Sequence, residues 1–274
     1  LKTYVIYHAS CNDGFTAAYA AWKVLGDTAQ YFPMHYTDRS LDRLDLSATA
    51  KIYVLDFSLQ RDALLTLEAQ GHEVLVLDHH KTAEEDLRGL SCAKFDMGKS
   101  GARLAWEHFH PDTPIPKFVL AVEDRDLWRF VIPHTKEILA AASLLKFKFS
   151  EWDKFCNELE ANYGDVVTKG EAILAYQQER AQSSAKKIGW RTIQGHKVPF
   201  LNSTSLISET LNHVLELNPE APFAISFFMG NDEKFIYSLR SRGDFDVGAF
   251  AKTYGGGGHA AAAGFSLPYI FPKE

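Results

Sequence analysis

Three short and almost wholly apolar runs constrain this chain more than anything else in it: Thr3–Tyr7 (TYVIY), Lys51–Phe57 (KIYVLDF) and Glu73–Leu77 (EVLVL). Continuous Val, Ile, Leu and Tyr without a polar face means strands buried on both sides. The stretches that follow, Gly14–Leu25 and Leu59–Gln70, carry alanines and leucines at helical intervals. Strands of this kind alternating with helices form a parallel sheet covered on both faces, and each repeat is a right-handed βαβ unit. The fold class is α/β.

Further along, Ser100–Phe109 and Lys117–Glu123 have helical patterns, separated by the helix-breaking PDTPIP. Ser150–Ala185 is long, helical and rich in Glu, Gln and Ala, and is expected to connect two domains. From residue 188 short strands take over (TIQG, KVPFLN, PFAISFFMG, EKFIYSLRS), then a helix, four glycines and a small-residue segment. The expected organisation is a first domain over 1–149, a helical connector over 150–187 and a smaller mixed α/β domain over 188–274. A length of 274 residues suits about two domains.

Composition removes several classes of protein. At 46% hydrophobic residues and a net charge of −6 the chain is not a disordered one. No apolar run approaches the roughly 18 residues of a membrane span, and a secretory leader is not expected. Cys11, Cys92 and Cys156 are odd in number and lack CxxC spacing, which argues against zinc ribbons and disulfide frameworks and for a reduced, cytoplasmic enzyme. An acidic chain is a poor coat for long nucleic acid. One local strip, Arg180 to Phe200, has five Lys or Arg and no acidic residue; it is read equally as a solvated face or a phosphate track.

The strands end on potential metal ligands. His8 and then Asp13 follow the first, Asp56 closes the second, and Asp78, His79 and His80 leave the third. In a parallel α/β sheet these ends share one edge, where ligands bind. The acidic pair Asp124 and Asp126, after a helix, could close the cluster. Taken alone, Asp56 could be a helix cap, His8 a hydrogen-bonded strand residue and Asp124 a surface charge. Together the group is a set of mutually repelling carboxylates that a divalent cation would neutralise. Mixed carboxylate and imidazole ligands suit Mn²⁺ or a related ion. Two such ions about 3.5–4 Å apart can activate water and stabilise the oxyanions of an in-line phosphoryl displacement. Asp78, at the centre, is expected to bridge them.

Gly255–Gly258, His259 and the small residues AAAAGF form a second motif. Consecutive glycine N–H groups can make an anion nest, and the alanines are expected to begin a helix. His259 is placed to donate to a phosphate or stack on a base, with Arg240 on the preceding strand as a second clamp. Phe15, Trp106 and Trp128 could stack bases, but core packing is the expectation for each.

These motifs resemble the DHH phosphoesterase family in its two-domain form. Asp78-His79-His80 matches the name-giving motif; SLRS and GGGGHAAAAGF resemble the hallmark of the associated C-terminal domain, about 175 residues on. The resemblance covers almost the whole chain. It implies a five-stranded parallel sheet domain, a smaller α/β domain and an active site in the cleft between them. It also implies two Mn²⁺ ions, with Mg²⁺ as a substitute, held by His8, Asp13, Asp56, Asp78, His79 and Asp124. His80 is then placed near the scissile phosphate, and Arg240, Gly256, Gly257, Gly258 and His259 grip the terminal nucleotide. Asp126 remains open as the alternative to Asp124. The first motif departs from the family: where a second aspartate is common, the chain has Cys11 or Asn12, and Cys11 is expected to pack rather than ligate.

The expected activity is hydrolysis of short oligonucleotides or dinucleotides to nucleoside 5′-monophosphates. The alternatives are a phosphatase acting on 3′-phosphoadenosine 5′-phosphate or a related nucleotide, and a non-catalytic nucleotide-binding module. Neither a membrane nor a stable protein partner is implied, and a homodimer is left open.

Overall fold

The structure, a computed structural model, describes residues 1–36 and 39–271. The chain divides into two compact units, 1–174 and 175–274. In the first unit the order is β1 (Lys2–His8), α1 (Asn12–Leu25), β2 (Ala29–Met34), β3 (Ala50–Leu55), α2 (Arg61–Ala69), β4 (Glu73–Asp78), α3 (Lys81–Leu87) and β5 (Ala93–Phe95). The helices α4 (Gly101–Phe109), α5 (Lys117–Asp126), α6 (Thr135–Ala142), α7 (Phe149–Ala161) and α8 (Tyr163–Ala185) follow, and the division between units falls within α8.

The five strands form one sheet in the order β2-β1-β3-β4-β5, every neighbouring pair parallel. Successive residues serve opposite faces, as the two-residue strand period requires. Tyr4, Ile6, Ile52, Val54 and Val76 pack with Leu64, Leu67 and Leu87 of α2 and α3. Val5, Tyr7, Tyr53, Leu55 and Leu77 pack with residues of α1, α4 and α5 on the other face. Sequence reading missed β2 (AQYFPM), whose proline and exposed positions mark an edge strand without a continuous apolar run.

The segment expected as a connector is two helices. α7 and the start of α8 are part of the first unit, since Trp152, Phe155, Cys156, Leu159, Val166 and Val167 belong to its core. Long helices with an intermittent apolar stripe look like linkers when their partner surface is unknown.

The second unit contains β6 (Gly189–Ile193), β7 (His196–Asn202), α9 (Ile207–Leu217), β8 (Phe223–Met229), β9 (Phe235–Ser241), α10 (Val247–Lys252), β10 (Gly257–Gly258) and β11 (Ala262–Leu267). Its sheet runs β10-β11-β9-β8-β7-β6; β7 and β8 are parallel and the other pairs antiparallel. α9 covers one face through Leu211, Val214 and Leu215. The opposite face packs Val247, Phe250 and Ala251 of α10 against Phe223, Tyr237 and Phe265.

One expectation here is corrected. The residues after His259 form the strand β11, not a helix, because Phe265 and Leu267 alternate with smaller residues and reach the core. The glycines permit a tight hairpin: a Cβ on Gly256 would lie 2.1 Å from the Gly264 carbonyl oxygen. Gly258, at φ +141°, would meet the Ala262 carbonyl at 2.5 Å. Replacing Gly256 with alanine therefore forces backbone apart. We expect Gly256→Ala to destabilise the second unit by about 1–3 kcal/mol or more, read as a lowered urea midpoint in the full chain. An unchanged midpoint would show that the hairpin does not pack this closely.

Candidate metal centre

The strand order places a topological switch point between β1 and β3, where a crevice opens at the carboxyl ends of a doubly wound sheet. His8 ends β1, Asp56 follows β3 and Asp78 ends β4, so side chains distant in sequence meet at this edge. Asp56 has a left-handed backbone, φ +51°, which Asp and Asn adopt more readily than most residues. The start of α4 lies directly against it: a Cβ on Gly101 would come within 2.3 Å of the Asp56 Cβ.

Asp13, in the first turn of α1, is held by that same helix. Its two oxygens accept from the N–H groups of Gly101 (2.7 Å) and Ala102 (2.8 Å), the exposed donors of a helix N-terminus. The Nε2 of His79 lies 3.3 Å from Asp13 Oδ2, 3.1 Å from Asp56 Oδ1 and 3.5 Å from Asp126 Oδ2. One imidazole nitrogen thus faces three carboxylates.

Asp126 rather than Asp124 joins this cluster. Asp124 accepts from the N–H groups of Val131 (2.9 Å) and Ile132 (3.1 Å) and from the Thr135 hydroxyl (2.6 Å). These bonds engage both oxygens of its carboxylate and pin the loop after α5. Two residues on, about half a helical turn, Asp126 presents its Oδ2 to His79 instead. Sequence spacing alone does not tell the two apart, because both lie in the last turn of α5.

Asp78 is bonded through both carboxylate oxygens. Its Oδ1 accepts from the N–H groups of His79 (2.7 Å) and His80 (3.2 Å) and from His80 Nδ1 (2.7 Å), and its Oδ2 accepts from the Ser58 hydroxyl (2.6 Å). Asp78 therefore orients His80, and Asp56 has the central position. Asp56 Oδ1 faces His79, and its Oδ2 lies 3.5 Å from His8 Nδ1.

Electrostatics follow from this crowding. Burial opposes a charge on His79, but bonds to Asp13 and Asp56 and the charge of Asp126 push its pKa up to about 12. Burial and the charges on Asp56 and Asp126 raise Asp13 to about 7. Asp56 is held well below the usual carboxylate range, its burial outweighed by His79 and His8. Burial raises Asp126, with the charge on Asp56 adding to it. In the bare protein an imidazolium supplies the positive charge that these carboxylates need.

The donors fit a divalent cation. Asp56 Oδ2, His8 Nδ1 and Asp126 Oδ2 are buried and make no hydrogen bond. Such atoms are costly unless a ligand completes them. Ligand atoms of Asp13, His79 and Asp126 lie within 4.8 Å of one another, as do those of His8, Cys11 and Asp56, and those of Asp56, Asp78, His79 and His80. Cys11, expected only to pack, stands in the cluster.

Two neighbours gave no signal in the sequence. The ring of Tyr36 lies 5.3 Å from that of His8 and 5.7 Å from that of His80, with its hydroxyl buried and without a hydrogen-bond partner. The Arg39 guanidinium lies over that ring at 4.7 Å. Phe15 and Trp106 are buried as expected, whereas Trp128 is exposed.

In the second unit Arg240 pairs in register with Ala262, which sets it beside the glycine hairpin, and its Nη2 donates to the Ser208 hydroxyl at 2.7 Å. The hairpin is not a row of open amides. The N–H groups of Gly255, Gly256 and His259 donate to the carbonyls of Lys252, Ala251 and Ala262, and Gly257 pairs with Gly264. His259 stands at the turn between β10 and β11.

Comparison with known proteins agrees with this architecture. Residues 202–273 match the DHHA1 domain. Over 97% of its length the chain is 31% identical to the uncharacterized protein R106 of Acanthamoeba polyphaga mimivirus, and it covers 68% of that protein. It is 25% identical, over 72% of its length, to oligoribonuclease NrnB of Bacillus subtilis (strain 168), of which it covers 53%. An exopolyphosphatase-related protein from Bacteroides fragilis aligns with a TM-score of 0.57 at 14% identity, covering 98% of this chain and 88% of that one. RecJ in complex with Mn²⁺ from Thermus thermophilus aligns at 0.53 and 16% identity, covering 97% of this chain and 49% of RecJ. At these identities the structural likeness is one of fold.

A doubly wound parallel sheet with Asp and His at its carboxyl edge, followed by a DHHA1 domain, defines a two-domain phosphoesterase. The chain belongs to the DHH phosphoesterase family.

The different surroundings of Asp124 and Asp126 predict opposite outcomes for one substitution. Asp124→Asn should lower stability by about 1–3 kcal/mol by misplacing a donor among donors, with little change in Mn²⁺ affinity. Asp126→Asn should leave the melting temperature unchanged or raised, and weaken Mn²⁺ by at least about tenfold. Thermal melts and Mn²⁺ titration followed by electron paramagnetic resonance would show a reversed pattern if Asp124 were the ligand.

Proposed function

We propose that this protein is a Mn²⁺-dependent phosphodiesterase that hydrolyses short oligonucleotides or dinucleotides to nucleoside 5′-monophosphates. The carrying observation is the buried Asp56 carboxylate, with one oxygen on His79 and the other unbonded beside His8. His8, Asp13, Asp56, His79 and Asp126 would hold two divalent cations, for which Mg²⁺ can substitute. When bound, such ions supply activated water and neutralise charge on the phosphoryl oxygens.

The remaining work belongs to the chain. His80 donates its Nδ1–H to Asp78, which fixes the ring and leaves Nε2 as the atom that holds or gives a proton to the leaving oxygen. Asp13, locked by two amides of α4, keeps the edge of the sheet in register with that helix. Arg240 on β9 and His259 on the hairpin shaped by Gly256, Gly257 and Gly258 contact the terminal phosphate or base. The net charge of −6 favours short substrates over a long polyanion. The similarity to an oligoribonuclease supports the same substrate class. Among the described residues no helix is long and apolar enough to cross a membrane. Free thiols at Cys11, Cys92 and Cys156 suit a reducing compartment, and we place the reaction in the cytoplasm.

The test incubates the protein and Mn²⁺ with diribonucleotides, RNA and DNA five-mers, linear and cyclic dinucleotides, and 3′-phosphoadenosine 5′-phosphate. Wild type should release 5′-monophosphates from the short RNA or dinucleotides. Asp56→Asn, which suits the left-handed backbone, should fold and lose on the order of 10³-fold or more in rate. Arg240→Ala should raise KM more than it lowers kcat. Turnover in Asp56→Asn equal to wild type, or no release from any substrate with Mn²⁺ bound, would refute the assignment.

A further inference from the structure

We infer that Cys11, His8 and Asp56 form a sulfur-containing cation position, making the centre chemically asymmetric and selective for a softer ion than Mn²⁺ at that one position. The inference rests on the reading of the strand-end cluster as a metal centre and goes beyond it in naming the ligand set and the class of ion.

Geometry supplies the first argument. One ligand atom each from His8, Cys11 and Asp56 lies within 4.8 Å of the others, and the three residues come from the end of β1, the cap of α1 and the residue after β3. The second argument is independent of the thiol. His8 Nδ1 and Asp56 Oδ2 are buried, 3.5 Å apart, and neither makes a hydrogen bond. Asp56 is 1% exposed. At 3.5 Å the two can pair as charges but complete no hydrogen bond, so each keeps bonding capacity that a cation between them would use in place of a proton.

The local backbone explains why the sulfur is available. Cys11 is the N-cap of α1, a position where Ser, Thr, Asp or Asn usually bonds the first turn. Its side chain makes no capping bond, and Phe15 N–H donates to the Cys11 carbonyl as in any helix. The sulfur is therefore not committed to the helix. An inert thiol packs among apolar groups, as Cys156 does in the core of the first unit. Cys11 instead keeps company with an imidazole and a carboxylate.

Sulfur changes which ion is held. Thiolates favour Zn²⁺ and other borderline or soft ions, whereas carboxylate and water suit Mn²⁺ and Mg²⁺. The group of Asp13, His79 and Asp126 has only oxygen and nitrogen donors. The two positions should then load differently, a Zn²⁺-like ion beside Cys11 and a Mn²⁺-like ion beside Asp13. On coordination the sulfur gives its proton to solvent and its electron pair to the ion; no redox step is involved.

Co²⁺ is the probe, added to the full chain after chelator treatment and followed by absorption. Visible d–d bands report cobalt bound anywhere in the centre; a near-ultraviolet sulfur-to-cobalt band reports a thiolate ligand. Wild type should show both. Cys11→Ser should keep visible bands and lose the near-ultraviolet band, with Cys92 and Cys156 intact. Cys11→Asp should also lose it, and should bind Mn²⁺ at least about tenfold more tightly relative to Zn²⁺ than wild type does. Visible bands in wild type without the sulfur band, or a sulfur band that persists in Cys11→Ser, would overturn the inference and leave the metal centre standing. No cobalt binding at all would overturn the metal centre and the inference with it.

Discussion

Asp13, Asp56 and Asp126 converge on a single imidazole nitrogen, and much of the first unit is arranged to keep them there. Removing charges from water costs several kcal/mol each unless partners replace the solvent. Here the partners are the amides at the start of α4, the Nε2 of His79 and, through His8, the end of β1. The glycine at the start of α4 lets backbone come close enough to Asp56 for this to work. The carboxylates draw the pKa of His79 upward, as they do those of His8 and His80, yet Asp56 Oδ2 and Asp126 Oδ2 stay without hydrogen bonds.

The second unit meets a different demand. Its hairpin of glycines brings β10 and β11 so near that side chains cannot intervene, and β11 in turn lies beside Arg240 on β9. Amides that a loose loop would offer to an anion are engaged by the protein itself. What the hairpin provides is shape and the position of His259 and Arg240. Both units thus use close backbone approach to aim a few polar side chains.

Much of this was legible in the residues. The runs TYVIY, KIYVLDF and EVLVL carried the parallel sheet because burial on both faces leaves an unbroken apolar signature, and their ends carried His8, Asp56 and Asp78 to one edge. The failures have physical reasons. Asp124 and Asp126 differ only in what lies opposite them, a loop or an imidazole, and nothing local records that. Tyr36 and Arg39 lie outside any regular pattern, and Ala262–Leu267 favours a helix by composition until Phe265 and Leu267 find a core.

The bonds from Asp13 to Gly101 and Ala102 span 88 and 89 positions of chain. No fragment that lacks either α1 or α4 can make them, and neither helix can seat without the intervening strands. The seating of Asp13 beside His79 and Asp126 is therefore a property of the finished topology. Parallel sheets with such distant pairings order slowly, because loop closure must precede the contacts that reward it. An ion that needs the whole cluster cannot template its assembly; it can only bind the completed sheet and slow its return to the unfolded state.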